Sequence, residues 1–251
     1  MKVLITGASS GIGKSIANTY AKIGYDLILV ARDKEKLELV KEELGSKVNI
    51  ELCVMDLTVI DNCKRLYNMY RDIDIDILIN NAGMGKFGDF VDIDLEAELE
   101  MIDINVRSMH ALMKLYLSDM VKKDRGMILN VASIAGFMPG PLMSTYYATK
   151  NYVVSLSEGV REELRRKKSN VKISILCPGP VKTNFDNVAG VSFSLKGKSS
   201  DEVARYAIDK FSKGKFYIVP GIDIKILRFI SGIVPNSLIS KVVYYQQRKK
   251  K

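Results

Sequence analysis

The chain reads as an α/β protein built on one doubly wound parallel sheet of about seven strands, with helices on both faces. Short apolar runs alternate with helical patterns from the first residues to about residue 221, as expected when each strand is followed by a crossover helix. Two of these runs, Asp76–Ile79 and Val171–Leu176, approach the continuous apolar character of strands buried on both faces. The 251 residues show no internal repeat, low-complexity tract or linker, so a single domain is expected.

The first element is a strand, Lys2 to Ile5. It runs into Thr6-Gly7-Ala8-Ser9-Ser10-Gly11-Ile12-Gly13 and then a helical pattern through Ile16, Ala17, Tyr20, Ala21 and Ile23. Strand, glycine turn and helix together suit an anion. Glycine takes positive φ and lets a phosphate approach, and a helix N-terminus offers N–H groups and partial positive charge. Gly7, Gly11 and Gly13 differ in spacing from GxGxxG but fill the same physical roles. Gly13-Lys14-Ser15 also looks like the end of a P-loop, yet that motif needs glycine where Ala8 stands. A plain βα turn would have little use for three glycines.

The second strand, Asp26–Ala31, leads into Arg32-Asp33. In dinucleotide folds an acid at this strand end binds the ribose 2′-hydroxyl, whereas Arg accommodates a 2′-phosphate. Arg32, with Lys14 lying across from the first turn, predicts NADPH, and NAD is the lesser expectation. Asp33 is read as the N-cap of a helix over Lys34–Leu44; turned inward, it would instead accept the ribose hydroxyls of NADH. Further along, Thr58-xx-Asp61 and Ser199-xx-Glu202 have the form of capping boxes. Helices are expected over Val106–Met120 and Tyr147–Arg165, with a strand over Met127–Ala132 between them.

That strand ends at Ser133, and Tyr146 and Lys150 follow, four residues apart. On a helix such residues share a face, their Cβ atoms about 6 Å apart. A cation beside a phenol favours the phenolate and lowers a pKa that is ordinarily about 10. A Ser hydroxyl alongside would give a carbonyl or alcohol oxygen a second hydrogen-bond partner, a set suited to moving a proton on and off a carbinol oxygen. Alone, the same spacing also describes a solvated helix face.

Taken in order, these residues and four further motifs resemble the short-chain dehydrogenase/reductase family from Met1 to about Gly221. Thr6 to Gly13 is similar to its TGxxxGxG, and Asp56-Leu57 follows the third strand where the family binds adenine. Asn80-Asn81-Ala82-Gly83 resembles its NNAG, Asn105 stands where it keeps a catalytic asparagine, and Pro178-Gly179-Pro180-Val181-Lys182-Thr183 resembles its PGxVxT. The resemblance implies a Rossmann-like fold and roles for named residues. Tyr146 would be the general acid in reduction and base in oxidation. Lys150 would lower the pKa of Tyr146 and hold the nicotinamide ribose, Ser133 would orient the substrate oxygen, and Asn105 would hold a relay water. Gly7, Ser9, Ser10, Gly11, Ile12, Gly13, Lys14, Arg32, Asp56, Leu57, Asn81, Ala82 and Gly83 would bind the dinucleotide, with Pro178, Gly179, Val181 and Thr183 against the nicotinamide.

The expected activity is that of an NADPH-dependent carbonyl reductase or alcohol dehydrogenase acting on a hydrophobic ketone or 3-oxoacyl compound. A hydroxysteroid dehydrogenase is the alternative. A non-catalytic dinucleotide sensor is the alternative of another class, and the intact set Asn105, Ser133, Tyr146 and Lys150 argues against it. The family's pairing of helices across a two-fold axis implies a homodimer or homotetramer through Val106–Met120 and Tyr147–Arg165.

Other classes fit poorly. Three cysteines without CxxC spacing read as reduced structural thiols, and with no leader before the first strand the expected location is the cytoplasm. His110 is the only histidine, so no metal site is expected. The net charge of +9 is spread over many helices, its one dense run at Arg248–Lys251, which argues against nucleic acid as partner. Residues 184–198 carry Phe185, Val188, Val191, Phe193 and Leu195, which suit either a hydrophobic substrate or packing of the loop on its own core. Residues 222–251 form an apolar extension with a basic tail, read as part of the same domain. Charges, Pro235 and Asn236 interrupt it too often for a transmembrane span. In this it departs from the 3-oxoacyl carrier-protein reductases, which end in a glycine-rich tail. Packing against the domain or a partner subunit is the expectation for it, ahead of membrane contact.

Overall fold

Side chains alternate across a strand, so a strand buried on both faces must supply two cores. The computed structural model, which describes residues 1–183, 185, 189 and 197–248, shows this alternation. From β1 (Lys2–Thr6), Val3 and Ile5 enter one core and Leu4 the other; β2 (Asp26–Ala31) sends Leu27 and Leu29 one way, Ile28 and Val30 the other. With β3 (Ile50–Val54), β4 (Ile77–Asn80), β5 (Met127–Val131), β6 (Lys172–Leu176) and β9 (Tyr217–Ile218) they form one seven-stranded sheet. Its order is β3-β2-β1-β4-β5-β6-β9, and every pairing is parallel. A short pair outside it joins β7 (Val181–Lys182) to β8 (Lys198–Ser199).

On one face lie α1 (Gly11–Lys22), α2 (Lys34–Leu44) and α7 (Ser200–Ser212), burying Ile16, Tyr20, Leu37, Val203 and Phe211. The other face carries α3 (Ile60–Tyr70), α5 (Met109–Lys122) and α6 (Ser144–Arg166), with Leu66, Leu112, Tyr116 and Val153. Each fully buried aliphatic side chain contributes roughly 1.5–3 kcal/mol of transfer free energy. This is the Rossmann-like architecture expected. The winding reverses between β1 and β4, and the switch point opens a crevice at the carboxyl ends of the strands.

Several expectations hold to the residue. Asp33 caps α2, its carboxylate accepting from the Lys36 N–H at 3.0 Å, and Ser199 caps α7 by accepting from the Glu202 N–H. Thr58 does not cap α3. Its N–H and hydroxyl both donate to Asp56 Oδ1, at 3.0 and 2.8 Å, and Val59 stands at the N-cap without a side-chain bond. The expected helix over 106–120 also changes. After α4 (Leu95–Ile102) comes a π-helical stretch, Asp103–Ser108, and α5 begins only at Met109. Helix α6 starts at Ser144, before the expected Tyr147, and so contains both Tyr146 and Lys150.

The extension folds onto the domain as α8 (Ile222–Ser231) and α9 (Asn236–Arg248). Ile224 packs beneath Gly179, and the Arg228 guanidinium lies 3.5 Å from the Tyr217 ring centroid and 4.9 Å from that of Phe137. No helix among the described residues is long and apolar enough to cross a membrane.

Candidate active site

The crevice is a cleft of about 670 Å³, within the range of small-molecule sites. At one end stands the glycine turn. Gly7 and Gly11 have φ of +64° and +53°, a conformation that favours glycine. Gly13 is required for another reason: a Cβ there would collide with the Gly7 carbonyl and the Asn81 amide. Helix α1 begins with Ser10 at its N-cap without a side-chain hydrogen bond, and its first turn carries no acid. Its N–H groups therefore face the cleft uncapped and suit a pyrophosphate. Asn81 locks the turn to β4, its Nδ2 donating to the carbonyls of Thr6 and Gly7.

Of the expected dinucleotide residues, Ser9, Ser10, Ile12, Arg32, Asp56, Leu57, Asn81, Ala82 and Gly83 line the cleft with Gly7 and Gly11. So do Pro178, Gly179, Val181 and Thr183. Gly13 and Lys14 do not. Gly13 lies behind the turn, and the Lys14 ammonium is held by Glu43 on α2 at 2.7 Å. Arg32 reaches the cleft already paired with Glu100, 3.0 Å away, a carboxylate from α4 that no local motif indicates. Asp33 is committed to Lys36, whose ammonium and N–H hold its carboxyl below the usual range.

The other end gathers the residues expected to handle the proton. Ser133, Tyr146 and Lys150 line the cleft together. Lys150 is buried, and its ammonium donates to the Val131 carbonyl at 3.0 Å and lies 5.8 Å from the Tyr146 ring centroid. The expected lowering of the phenol is not seen. Burial pushes Tyr146 up to about 12, opposed by its hydrogen bond with Ser133, and Tyr147 adds to the rise. Burial likewise pulls Lys150 down to about 8. Lys150 is thus an ammonium under strong desolvation rather than a permanent cation, and both groups are held toward their neutral forms.

Asn105 sits behind this set, off the cleft wall. It lies in the π-helical stretch, where the widened turn delivers its buried amide to Met84 and Thr149: Oδ1 accepts from the Met84 N–H at 2.9 Å, and Nδ2 donates to the Met84 carbonyl and Thr149 Oγ1. Gly83 separates it from Lys150; a Cβ there would fall 2.7 Å from Asn105 Oδ1 and 3.4 Å from Lys150 Nζ.

Of the apolar walls, only Phe185 was expected from the sequence. Met84, Met138, Met143, Tyr147 and Phe185 line the cleft with Tyr146, the Phe185 ring 5.4 Å from that of Tyr146. Ile224, Leu227, Val242, Val243 and Gln247 come from α8 and α9, and the buried Gln247 amide donates to the Tyr147 hydroxyl at 2.9 Å. Val188, Val191, Phe193 and Leu195 lie outside the described residues. No cluster of potential metal ligands occurs among those described.

Comparison with known proteins agrees with this geometry. The family model for short chain dehydrogenase matches residues 1–190. An uncharacterised oxidoreductase of Bacillus subtilis, YvrD, is 34% identical over 217 residues, covering 86% of this chain and 79% of its own. The human very-long-chain 3-oxoacyl-CoA reductase is 36% identical over 171 residues, 65% of this chain but 54% of its own length. Among solved structures, a short-chain dehydrogenase from Sphingobium yanoikuyae in complex with NADPH superposes with a TM-score of 0.83 at 31% identity, covering 94% of this chain and 97% of that one. The chain belongs to the short-chain dehydrogenase family, oxidoreductases that act on alcohol and ketone groups with a nicotinamide dinucleotide.

Proposed function

We propose that this protein is an NADPH-dependent carbonyl reductase, reversible as an alcohol dehydrogenase, for a hydrophobic ketone or 3-oxoacyl compound. The observation that carries the reading is the convergence of Ser133, Tyr146 and Lys150 at the apolar end of a cleft whose other end is the glycine turn. The Ser133 hydroxyl hydrogen-bonds the substrate oxygen and fixes it beside Tyr146. In reduction the phenol, neutral at pH 7, gives its proton to that oxygen; in oxidation the phenolate takes it back. The cleft's residues would hold a nicotinamide dinucleotide here, which would supply the hydride chemistry. Lys150, buried beside the phenol, would hold the nicotinamide ribose, and Asn105, through Met84, holds the strand-end loop carrying Gly83 against Lys150.

Arg32 supports NADPH, since its guanidinium stands at the cleft rim where a 2′-phosphate could exchange for Glu100. The methionine and aliphatic walls support a hydrophobic substrate. So do two relatives: the human very-long-chain 3-oxoacyl-CoA reductase and the bulky-bulky ketone specific alcohol dehydrogenase of Comamonas testosteroni, 29% identical with a TM-score of 0.79. A homodimer or homotetramer through the outer faces of α5 and α6, where Tyr152 is exposed and hydrogen-bonded to His110, completes the proposal; light scattering at micromolar concentration reads it. The decisive test is NADPH consumption with a panel of 3-oxoacyl esters, diketones, bulky aryl ketones and oxosteroids. Turnover of at least one hydrophobic ketone is expected. Tight NADPH binding without consumption across the panel would instead indicate a sensor.

A further inference from the structure

Helices α8 and α9 leave an apolar surface uncovered. On α8, Ile222, Ile226, Phe229, Ile230 and Ile233 follow i, i+4, i+7, i+8 and i+11 spacing. They fall within roughly 100° of arc, Ile233 two residues past the end of α8, and all are exposed, Phe229 at 70%. On α9, Leu238, Val242 and Tyr245 form a narrower stripe, equally exposed. The faces turned to the domain are satisfied: Ile224 on α8 and Ile239 and Gln247 on α9 are buried, and Arg228 is stacked inward on Tyr217. These stripes therefore face outward from a domain that α8 and α9 already cover.

Two features identify the occupant. The first is charge. Residues 222–251 contain one acid, Asp223, against seven bases. Lys225 borders the stripe on α8 and Lys241 and Arg248 border that on α9, none forming a salt bridge among the described residues. Apolar face, aromatic residues and flanking cations are the arrangement of a helix lying in a membrane interface. A second copy docked by two-fold symmetry would bring two copies of the same predominantly basic surface together, with one acid per copy to offset the bases. The second feature is continuity with the cleft. Leu227 and Val242 line the cleft yet remain substantially exposed, so both helices border its mouth. In each helix the order around the axis is cation, apolar stripe, cleft.

We propose that α8 and α9 lie on an anionic lipid surface, with Phe229 and Ile233 inserted, Lys225 and Lys241 against headgroups, and the cleft mouth opening toward the bilayer. The contact is peripheral, and it places a hydrophobic substrate dissolved in lipid beside the cleft.

The test is co-sedimentation of the full chain with vesicles of phosphatidylcholine alone and of phosphatidylcholine mixed with phosphatidylglycerol, which reads no turnover and so does not depend on the substrate. Binding to the anionic vesicles, weakened by salt, is expected. The double variant Phe229→Glu, Ile233→Glu removes two exposed side chains and should lower the partition coefficient about 10-fold or more, with circular dichroism unchanged. Lys225→Gln with Lys241→Gln should weaken binding to anionic vesicles only. The proposal is overturned by wild-type protein that stays in the supernatant with both vesicle types. It is equally overturned if the glutamate variant shifts from dimer to monomer in gel filtration, since a second copy would then cover this face.

Discussion

At the dinucleotide end of the cleft the wall is largely backbone: Gly7 and Gly11 in left-handed conformation, Gly13 packed where no side chain fits, and the uncapped start of α1. At the opposite end the wall is side chains carried on loops and helices distant in sequence, from Met84 and Met143 to Val243 and Gln247. Backbone recognition requires particular residue types at particular spacings, because only glycine admits the conformation and the close approach. Recognition by apolar side chains requires only bulk of about the right shape, which many residues supply. The first end is therefore written in motifs, and the second depends on how the chain is brought together.

The largest expected effect tests the proton-transfer set. Tyr146→Phe should retain dinucleotide binding and lose about 100-fold or more in kcat/KM. Tyr147→Phe removes only the hydroxyl that accepts from Gln247 and should change rates no more than a few-fold; inactivity in the Tyr147 variant would reverse the assignment. With Tyr146 held near 12, alcohol oxidation, which needs the phenolate, should keep rising with pH through the ordinary phenol range near 10. Ketone reduction should decline only above it. An oxidation rate already level by pH 8 would mean that the phenol titrates far lower in the working enzyme.

Gly13→Ala probes the backbone end. The new methyl group would meet the Gly7 carbonyl and the Asn81 amide, so roughly 1–3 kcal/mol of stability should be lost, measured by urea denaturation, together with dinucleotide affinity. A neutral result would mean that the turn can relax.

Arg32→Ala should cost NADPH about 10- to 100-fold in kcat/KM, the scale of one charge-assisted hydrogen bond, with NADH little changed. Glu100→Gln releases Arg32 from its carboxylate partner and should improve NADPH a few-fold. A wild type that prefers NADH in steady-state kinetics would remove the phosphate assignment.

Lys150→Met sharpens the contrast between stability and function. Lys150 falls from 10.5 to about 8 because burial penalises the ammonium. At about 1.4 kcal/mol per unit, less about 1 kcal/mol for the hydrogen bond to the Val131 carbonyl, the methionine variant should gain about 2 kcal/mol at pH 7. A folded-state pKa below the unfolded one means that the wild type is free of this penalty above 10.5 and bears it fully below 8. The gain in Tm should therefore shrink as pH rises from 8 to 10.5, while activity is lost throughout.

Much of this molecule was legible in order along the chain. The strand, glycine turn and helix at Lys2–Lys22, the Asp33 cap and the Ser199 cap each rest on interactions within a few residues, where local chemistry decides. Elsewhere a local motif lost to a competing local bond, as when Asp56 captured the Thr58 hydroxyl that was expected to cap α3. The π-helical turn that turns Asn105 inward has no signature in Asp103–Ser108 and is set by what packs around it. Glu100 and Glu43, which hold Arg32 and Lys14, are 68 and 29 residues away from them, and no spacing rule reaches that far.

By itself the sequence determined the parallel sheet, its winding, the glycines at the switch point and the shared helix face of Tyr146 and Lys150, because periodicity, glycine and short-range spacing are properties of the chain alone. Tertiary structure decided the protonation preferences of Tyr146 and Lys150, which follow from desolvation. It also decided the closing of the cleft by α8 and α9 and their outward apolar stripes, because burial depends on which distant segments meet.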